Sequence, residues 1–176
     1  MYSFNSNTLL NWITAFAIFE IPMALFYLSI SKKNDMVTNW YSGKDISIWN
    51  VIIQDSLYVI CGIIVTYSLF NYLIAKNIFK KSFIYFIFTF IFVQIIGDLI
   101  FAFTINKWPN SLSNRWIKYF KLYIKKAGLY ALFGDTLYIL AWSMAFYFVE
   151  KYINEFSHKI FIISLFLFLV SAYSVN

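Results

Sequence analysis

The stretch GLYALFGDTLYILAWSMAFYFV, residues 128–149, is long and apolar enough to cross a lipid bilayer as a helix. It contains no Lys or Arg and a single acid, Asp135. A continuous apolar run of about 20 residues is typical of a transmembrane helix, whereas the strands of a membrane barrel are shorter and alternate in polarity. Similar runs occupy residues 8–31, 48–75, 82–106 and 160–175. The sequence therefore predicts one domain over residues 1–176, an all-α, polytopic transmembrane helical bundle of about five spans.

The composition of the whole chain agrees with a membrane location. Of the 176 residues, 61% are hydrophobic, 23% are aromatic and only 12% are charged, and the mean hydropathy is +0.69. Soluble domains are about half apolar and about a quarter charged. We therefore expect an integral membrane protein with little room for a soluble domain.

Two residue types limit the chemistry. Cys61 is the only cysteine and His158 the only histidine, so the sequence offers neither an intramolecular disulfide nor the usual zinc or haem ligands. No metal site is predicted and the sequence names no cofactor.

The net charge of +6 comes from 14 Lys and Arg residues in the loops. Their positions favour contact with anionic lipid headgroups over nucleic-acid binding.

The distribution of basic residues predicts an orientation. With five spans, the N-terminus and the loops at 76–81 and 150–159 lie on one side and carry five lysines. The other side carries nine basic residues, Lys32, Lys33, Lys44, Lys107, Arg115, Lys118, Lys121, Lys125 and Lys126. Because cytoplasmic loops are enriched in Lys and Arg, we expect the N-terminus outside and the C-terminus in the cytoplasm.

An amphipathic segment separates the third and fourth spans. After the helix stop at Trp108-Pro109, the helical spacing of residues 114–126 puts basic residues on one face and Ile117, Phe120 and Ile124 on the other. This pattern predicts a basic interfacial helix that contacts lipid headgroups through Arg115, Lys118, Lys121 and Lys125. A solvated connecting helix is the alternative.

Four acids lie inside the predicted spans at similar depths. Counting about 1.5 Å per residue from the basic side, Asp55, Asp98 and Asp135 lie roughly 10–12 Å deep and Glu20 about 16 Å deep. A carboxylate that faces lipid costs at least about 2.5 kcal/mol. We therefore expect all four acids to face the interior of the bundle.

The acids have no basic partner within the spans, which leaves three arrangements open. They are protonated and hydrogen-bond one another, they share a bound cation, or a long side chain such as Lys107 reaches them. We predict an ion- or proton-binding set with supporting polar groups. The set is Glu20, Asp55, Gln94, Asp98 and Asp135, and the supporting residues are Ser56, Tyr58, Thr136 and Tyr138. A purely structural network of hydrogen bonds is the alternative.

Small residues and a weak repeat refine this picture. Gly97 and Gly134 each precede an acid and are expected to let a neighbouring helix approach closely. Asp55 and Tyr58 align with Asp135 and Tyr138 at an offset of 80 residues. The chain can thus be interpreted as two tandem helix hairpins followed by a fifth helix, although chance similarity between apolar helices is the alternative.

One short segment resembles a known family. Residues 98–109, DLIFAFTINKWP, are similar to the signature of an uncharacterised family of small bacterial membrane proteins, in which a helix bearing Asp-Leu-Thr-Asn ends at Trp-Pro. Asp98, Leu99, Thr104 and the Trp-Pro pair match, whereas Ile100 and Phe101 replace the Thr-Asn. The resemblance implies a four-helix acidic core and no particular chemistry.

These observations favour three functions. The first is proton or cation conduction through the carboxylates. The second is a structural or assembly protein of an organelle or viral membrane, since the abundance of Ile, Phe, Tyr, Lys and Asn is typical of AT-rich genomes. The third is binding of a lipid or another hydrophobic ligand.

An enzyme is disfavoured because no nucleophile elbow or nucleotide-binding loop is present. Both a monomer and a homo-oligomer are compatible with five short helices.

Overall fold

A computed structural model describes residues 3–30 and 47–174, and all regular structure in these two ranges is helical. Six helices follow in chain order: α1 Ser6–Ile30, α2 Ile48–Ala75, α3 Phe83–Lys107, α4 Arg115–Ala127, α5 Leu129–Tyr152 and α6 Phe156–Ser174. Each predicted helical segment corresponds to one of them, with ends that differ by at most four residues. The all-α fold class is therefore confirmed.

Three of these helices are long and apolar enough to cross a membrane. They are α2 from Trp49, α3 and α5, with 27, 25 and 24 residues. Helix α6 contributes a shorter apolar segment, Phe156–Ala172. The protein is thus a helical membrane protein by length and composition, and the count of five spans stays a prediction. Lys32, Lys33 and Lys44, which contribute to the predicted orientation, lie outside the described residues.

Local sequence signals explain where α4 begins and ends. Helix α3 stops before Pro109, whose ring disfavours a helical conformation in the preceding residue. The side chain of Asn114 then caps α4 by accepting a 2.9 Å hydrogen bond from the Ile117 amide. Gly128 has φ +52°, a conformation that side chains disfavour, and separates α4 from α5.

The long helices pack in a ring. Around the ring the order is α2, α3, α5, α1 and α6, and α6 returns to contact α2. Helix α1 therefore packs mainly against α5 and α6, whereas α2 packs against α3. This differs from two side-by-side hairpins, in which α1 would pair with α2. The weak sequence repeat does not govern which helices become neighbours.

Aromatic side chains fill the centre of the ring in the half that contains the start of α1. Trp12 is 1% exposed, and its ring stacks on Phe146 with centroids 3.9 Å apart. Its edge faces Trp142 at 5.0 Å, and its indole N–H donates to the Tyr67 hydroxyl at 3.3 Å. We call this group the aromatic layer; its members are Trp12, Tyr67, Phe86, Phe90, Trp142 and Phe146. It packs the bundle tightly on one side of the acids.

Candidate functional site

Both carboxyl oxygens of Asp98, on α3, accept a hydrogen bond. The hydroxyl of Tyr58, on α2, donates a 2.5 Å hydrogen bond to Oδ1. Gln94, one turn earlier on α3, donates from Nε2 to Oδ2. The predicted pairing of Gln94 and Asp98 on one helix face follows from their spacing of four residues. The two bonds fix the carboxyl group between α2 and α3.

Gly97 makes the approach of Tyr58 sterically allowed. A Cβ atom built on Gly97 would lie 2.8 Å from the Tyr58 hydroxyl oxygen, closer than real Cβ contacts. The predicted close approach is therefore observed at Gly97. At Gly134 an added Cβ would meet none of the described residues within 4 Å, so a comparable close approach is not seen among them.

Helix α5 completes the site with two adjacent residues. Asp135 lies near the carboxyl group of Asp98, so the two acids interact electrostatically. The hydroxyl of Thr136 lies 3.2 Å from Oε1 of Gln94 and 2.8 Å from the carbonyl of Leu132. Three helices thus contribute to one connected group, which we call the carboxyl network: Tyr58, Gln94, Asp98, Asp135 and Thr136.

The two acids of the carboxyl network lie on the sides of α3 and α5 that face the interior of the bundle. Asp135 lies two turns before Trp142 on α5, and Asp98 lies two turns after Phe90 on α3, so each projects from the side of its helix that carries the aromatic layer. Gln94 is buried and Asp98 is half-buried, whereas Asp135 is exposed. The exposure of Asp135 differs from the expectation that every acid is enclosed.

Glu20 occupies a second position, between α1 and α5. Its side chain is 1% exposed and accepts a hydrogen bond from the Tyr138 hydroxyl. Phe19 supports the tyrosine ring edge-on, with centroids 4.7 Å apart. Because Tyr138 lies one turn after Asp135 on α5, the Glu20 pair adjoins the carboxyl network along that helix.

The remaining predicted polar residues lie on α2. Asp55 is half-buried one turn before Tyr58, and Ser56 beside it is also half-buried. The four acids, which were predicted to face one another, thus take part in different contacts. Asp98 and Asp135 lie near each other, Glu20 is paired with Tyr138, and Asp55 lies one helical turn from the tyrosine that binds Asp98.

Helix α4 packs on the bundle near the C-terminal end of α3, where Phe101 lies. Trp116 donates from its indole nitrogen to Oε1 of Gln54, and Phe101 of α3 packs against Trp116 and Phe120 at 5.8 and 5.1 Å. Sequence reasoning identified the apolar face of α4 but did not predict its packing on α3 and did not single out Gln54. The polar triplet Gln54-Asp55-Ser56 was the available signal.

The basic residues of α4 divide into two groups. Lys121 is half-buried, and its ammonium group lies 2.6 Å from the carbonyl of Trp108 and 2.9 Å from Oδ1 of Asn110. Lys121 therefore stabilises the turn before α4 by donating to a backbone carbonyl and to a side-chain amide oxygen of that turn. Lys118 and Lys125 are exposed and remain available for lipid headgroups. Arg115 is exposed in the first turn of the helix.

In the described ranges, no three His, Cys, Asp or Glu side chains lie close enough together to hold a metal ion. Comparison with protein-family models, characterised proteins and solved structures gives no match. The resemblance of residues 98–109 to a bacterial membrane family stays a prediction. The site is therefore interpreted from its own chemistry.

Proposed function

We propose that the protein is a small integral membrane protein of five spans whose carboxyl network binds and transfers protons. The single observation that carries this proposal is that Gln94 joins Asp98 to Thr136, so that Asp135, the residue before Thr136, lies near Asp98. Two neighbouring carboxyl groups repel each other when both are ionised, which favours a proton on one of them. In this proposal the pair holds an exchangeable proton within the bundle.

The surrounding groups support proton transfer over transfer of a larger cation. The network joins two carboxyl groups to the hydroxyls of Tyr58 and Thr136, and each of these groups can donate or accept a hydrogen bond. Chains of such groups are typical of proton relays in membrane proteins. The Glu20–Tyr138 pair, one turn along α5 from Asp135, offers a third carboxyl group.

The aromatic layer constrains the mechanism. Trp12 and Phe146 stack at 3.9 Å in the centre of the ring, so this half of the bundle has no room for a water-filled channel. In this proposal, protons reach Asp135 from the end of the bundle away from the aromatic layer, and passage beyond that layer requires a rearrangement of the helices. We therefore propose gated or coupled proton transfer rather than conduction through an open pore.

The test is proton flux in liposomes that contain the purified protein and an entrapped pH-sensitive dye, driven by a potassium diffusion potential. The wild type should acidify or alkalinise the lumen faster than protein-free liposomes do. Asp98→Asn and Asp135→Asn should reduce the rate to that of protein-free liposomes, because an amide cannot release a proton. Glu155→Gln removes an exposed acid at the start of α6 and should have no effect.

Two outcomes would contradict the proposal. Wild-type liposomes with no more flux than empty ones would remove proton transfer altogether. Loss of the flux when sodium is replaced by an impermeant cation, with the potassium gradient unchanged, would indicate transfer that depends on sodium in place of transfer of protons alone.

A structural or assembly role is the second candidate, and the exposed lysines of α4 favour it. Lys118 and Lys125 project from a helix whose aromatic face is docked on the bundle, so they are available to anionic headgroups or an acidic partner. Lys118→Gln with Lys125→Gln should impair membrane assembly if this role is correct, while Asp98→Asn assembles normally. The reverse result would favour proton transfer.

A further inference from the structure

Lys159, in the first turn of α6, is a buried cation. It is 3% exposed, and its ammonium group lies 3.2 Å from Oδ1 of Asn7 on α1. Within residues 3–30 and 47–174 this neutral amide is the only side-chain partner of the ammonium group, and no carboxylate lies within 4 Å of it. A buried charge without a counter-ion is strongly unfavourable. An anion from outside the chain would relieve it.

The acid nearest in sequence does not neutralise Lys159. Glu155 turns its carboxylate to the Ser157 hydroxyl at 3.4 Å and to His158 at 3.6 Å, and the Glu155 side chain is 70% exposed. This acid is therefore directed to solvent and its own turn, while Lys159 is directed to α1.

A second buried polar group lies on α1, one turn after Asn7. Asn11 follows Asn7 by one turn on α1 and is 4% exposed, and its Oδ1 has no hydrogen-bond partner among the described residues. Side chains of a helix lean toward its N-terminus, so the Asn11 amide is directed to the turn that carries Asn7. Two amides and one ammonium group therefore lie at the same end of the seam between α1 and α6.

The two helices run in the same direction. Asn7 meets Lys159 near their N-termini, and Phe16 meets Phe166 further along, with ring centroids 5.8 Å apart. Parallel helices present the positive ends of their dipoles to the same side. The local field at this end therefore favours a negatively charged group.

An apolar groove lies further along the same seam. Its volume is 280 Å³, and it is lined by Ile18 and Pro22 of α1 and by Ile162, Leu165, Phe166 and Leu169 of α6. Ile162, Phe166 and Leu169 follow Lys159 at offsets of three, seven and ten residues, so they share its helix face. Lys159 and the groove residues thus lie on one face of α6, within about 15 Å along the helix at 1.5 Å per residue.

We propose that the seam between α1 and α6 binds one phospholipid, with its phosphate at Lys159, Asn7 and Asn11 and one acyl chain in the groove. The charge of Lys159 selects the phosphate, and the apolar lining selects the chain. Free phosphate would leave the groove empty, and an uncharged lipid would leave the ammonium group unpaired. The inference rests on the bundle lying in a bilayer and is independent of the carboxyl network.

The test is native mass spectrometry of the full-length protein in a non-ionic detergent. Phosphatidylglycerol is titrated against a diacylglycerol with the same acyl chains, which differs by the absence of the phosphate. We expect the wild type to bind phosphatidylglycerol about tenfold more tightly, the size of one charge-assisted hydrogen bond. Lys159→Gln should abolish this preference, Lys159→Arg should keep it, and Lys151→Gln, at an exposed lysine of α5, should have no effect.

A groove variant keeps the proposal falsifiable if Lys159→Gln does not fold. Leu165 is 46% exposed at the edge of the groove, so Leu165→Trp fills the groove while the bundle stays folded. It should reduce binding of both lipids. Equal affinity for the two lipids in the wild type, unchanged binding in Lys159→Gln or Leu165→Trp, or displacement by inorganic phosphate would overturn the proposal. Asp98→Asn should keep the lipid, which separates this result from a failure of proton transfer.

Discussion

Gly97 and Tyr58 lie so close that a single methyl group on the glycine would be 2.8 Å from the tyrosine hydroxyl oxygen. This is the same hydroxyl that binds Asp98. The small residue on α3 thus permits the hydrogen bond between α2 and α3, and a substitution at Gly97 acts on the carboxyl network through Tyr58.

We expect Gly97→Ala to move the Tyr58 hydroxyl away from Asp98 and to reduce proton flux to the level of Tyr58→Phe. Because both changes remove the same bond, the double variant should be no worse than either single variant. The lost bond should cost about 0.6 kcal/mol of stability, the mean for such bonds between membrane helices. Flux in liposomes and unfolding in a denaturing detergent check both values.

Gly134→Ala is the matched control, since both glycines lie in a helix and directly before an aspartate, but a Cβ at Gly134 meets nothing within 4 Å. It should leave flux unchanged and stabilise the helix by up to about 1 kcal/mol. Equal effects of the two substitutions would show that the contact with Tyr58 has no role.

Trp12→Ala should be among the most destabilising substitutions in the protein. Trp12 is 1% exposed and touches side chains from α2, α3 and α5, so its removal leaves a cavity at the centre of the ring. We expect a loss of about 3 kcal/mol in the free energy of unfolding. Phe103→Ala, at an aromatic residue that is 67% exposed, should change stability by less than about 0.5 kcal/mol. Similar losses at both positions would argue against the central placement of Trp12.

Docking of α4 should depend on the contact between Trp116 and Gln54. Trp116→Ala removes the hydrogen bond to Gln54 and the packing on Phe101, so the amides of α4 should exchange hydrogen faster than in the wild type. Lys118→Ala, on the exposed face of the same helix, should leave the exchange rates unchanged. Unchanged protection in Trp116→Ala would mean that α4 is held by something other than this contact.

Lys121 and Lys118 should respond differently to the same change. Lys121→Met removes two hydrogen bonds to the turn before α4. We expect a loss of about 1 kcal/mol in the free energy of unfolding, measured on the detergent-solubilised protein. Lys118→Met removes an exposed charge and should have an effect within about 0.5 kcal/mol. Equal effects would indicate that Lys121 acts only as a surface charge.

The number of spans can be tested with single cysteines in a Cys61→Ser background. If α1 and α6 both cross the membrane, cysteines at Ser3 and Ser157 should react with an impermeant reagent from the same side, and one at Ser113 from the other. An epitope added after residue 176 should lie on the side of Ser113. An epitope on the side of Ser157 would mean that α6 does not cross.

The candidate site could be predicted in part from the sequence. An acid inside an apolar run is visible without coordinates, and the offsets of Asp55, Asp98 and Asp135 from the helix ends give a shared depth because the rise per residue is constant. The pairing of Gln94 with Asp98 also followed, since residues four apart share a helix face. The bond between Tyr58 and Asp98, the burial of Glu20 against Tyr138 and the pairing of Trp116 with Gln54 did not follow, because each joins residues at least 40 positions apart.

The sequence by itself determined the helices, their ends and the membrane class, because apolar run length, Pro109, Asn114 and Gly128 act locally along the chain. The tertiary structure alone decided which helices are neighbours: α1 packs against α5 and α6, and α4 places its aromatic face on the bundle. The reason is that the five long helices are apolar on nearly every face. In lipid, neighbours are selected by packing and by a few polar contacts rather than by hydrophobicity, and those interactions exist only when the helices are assembled.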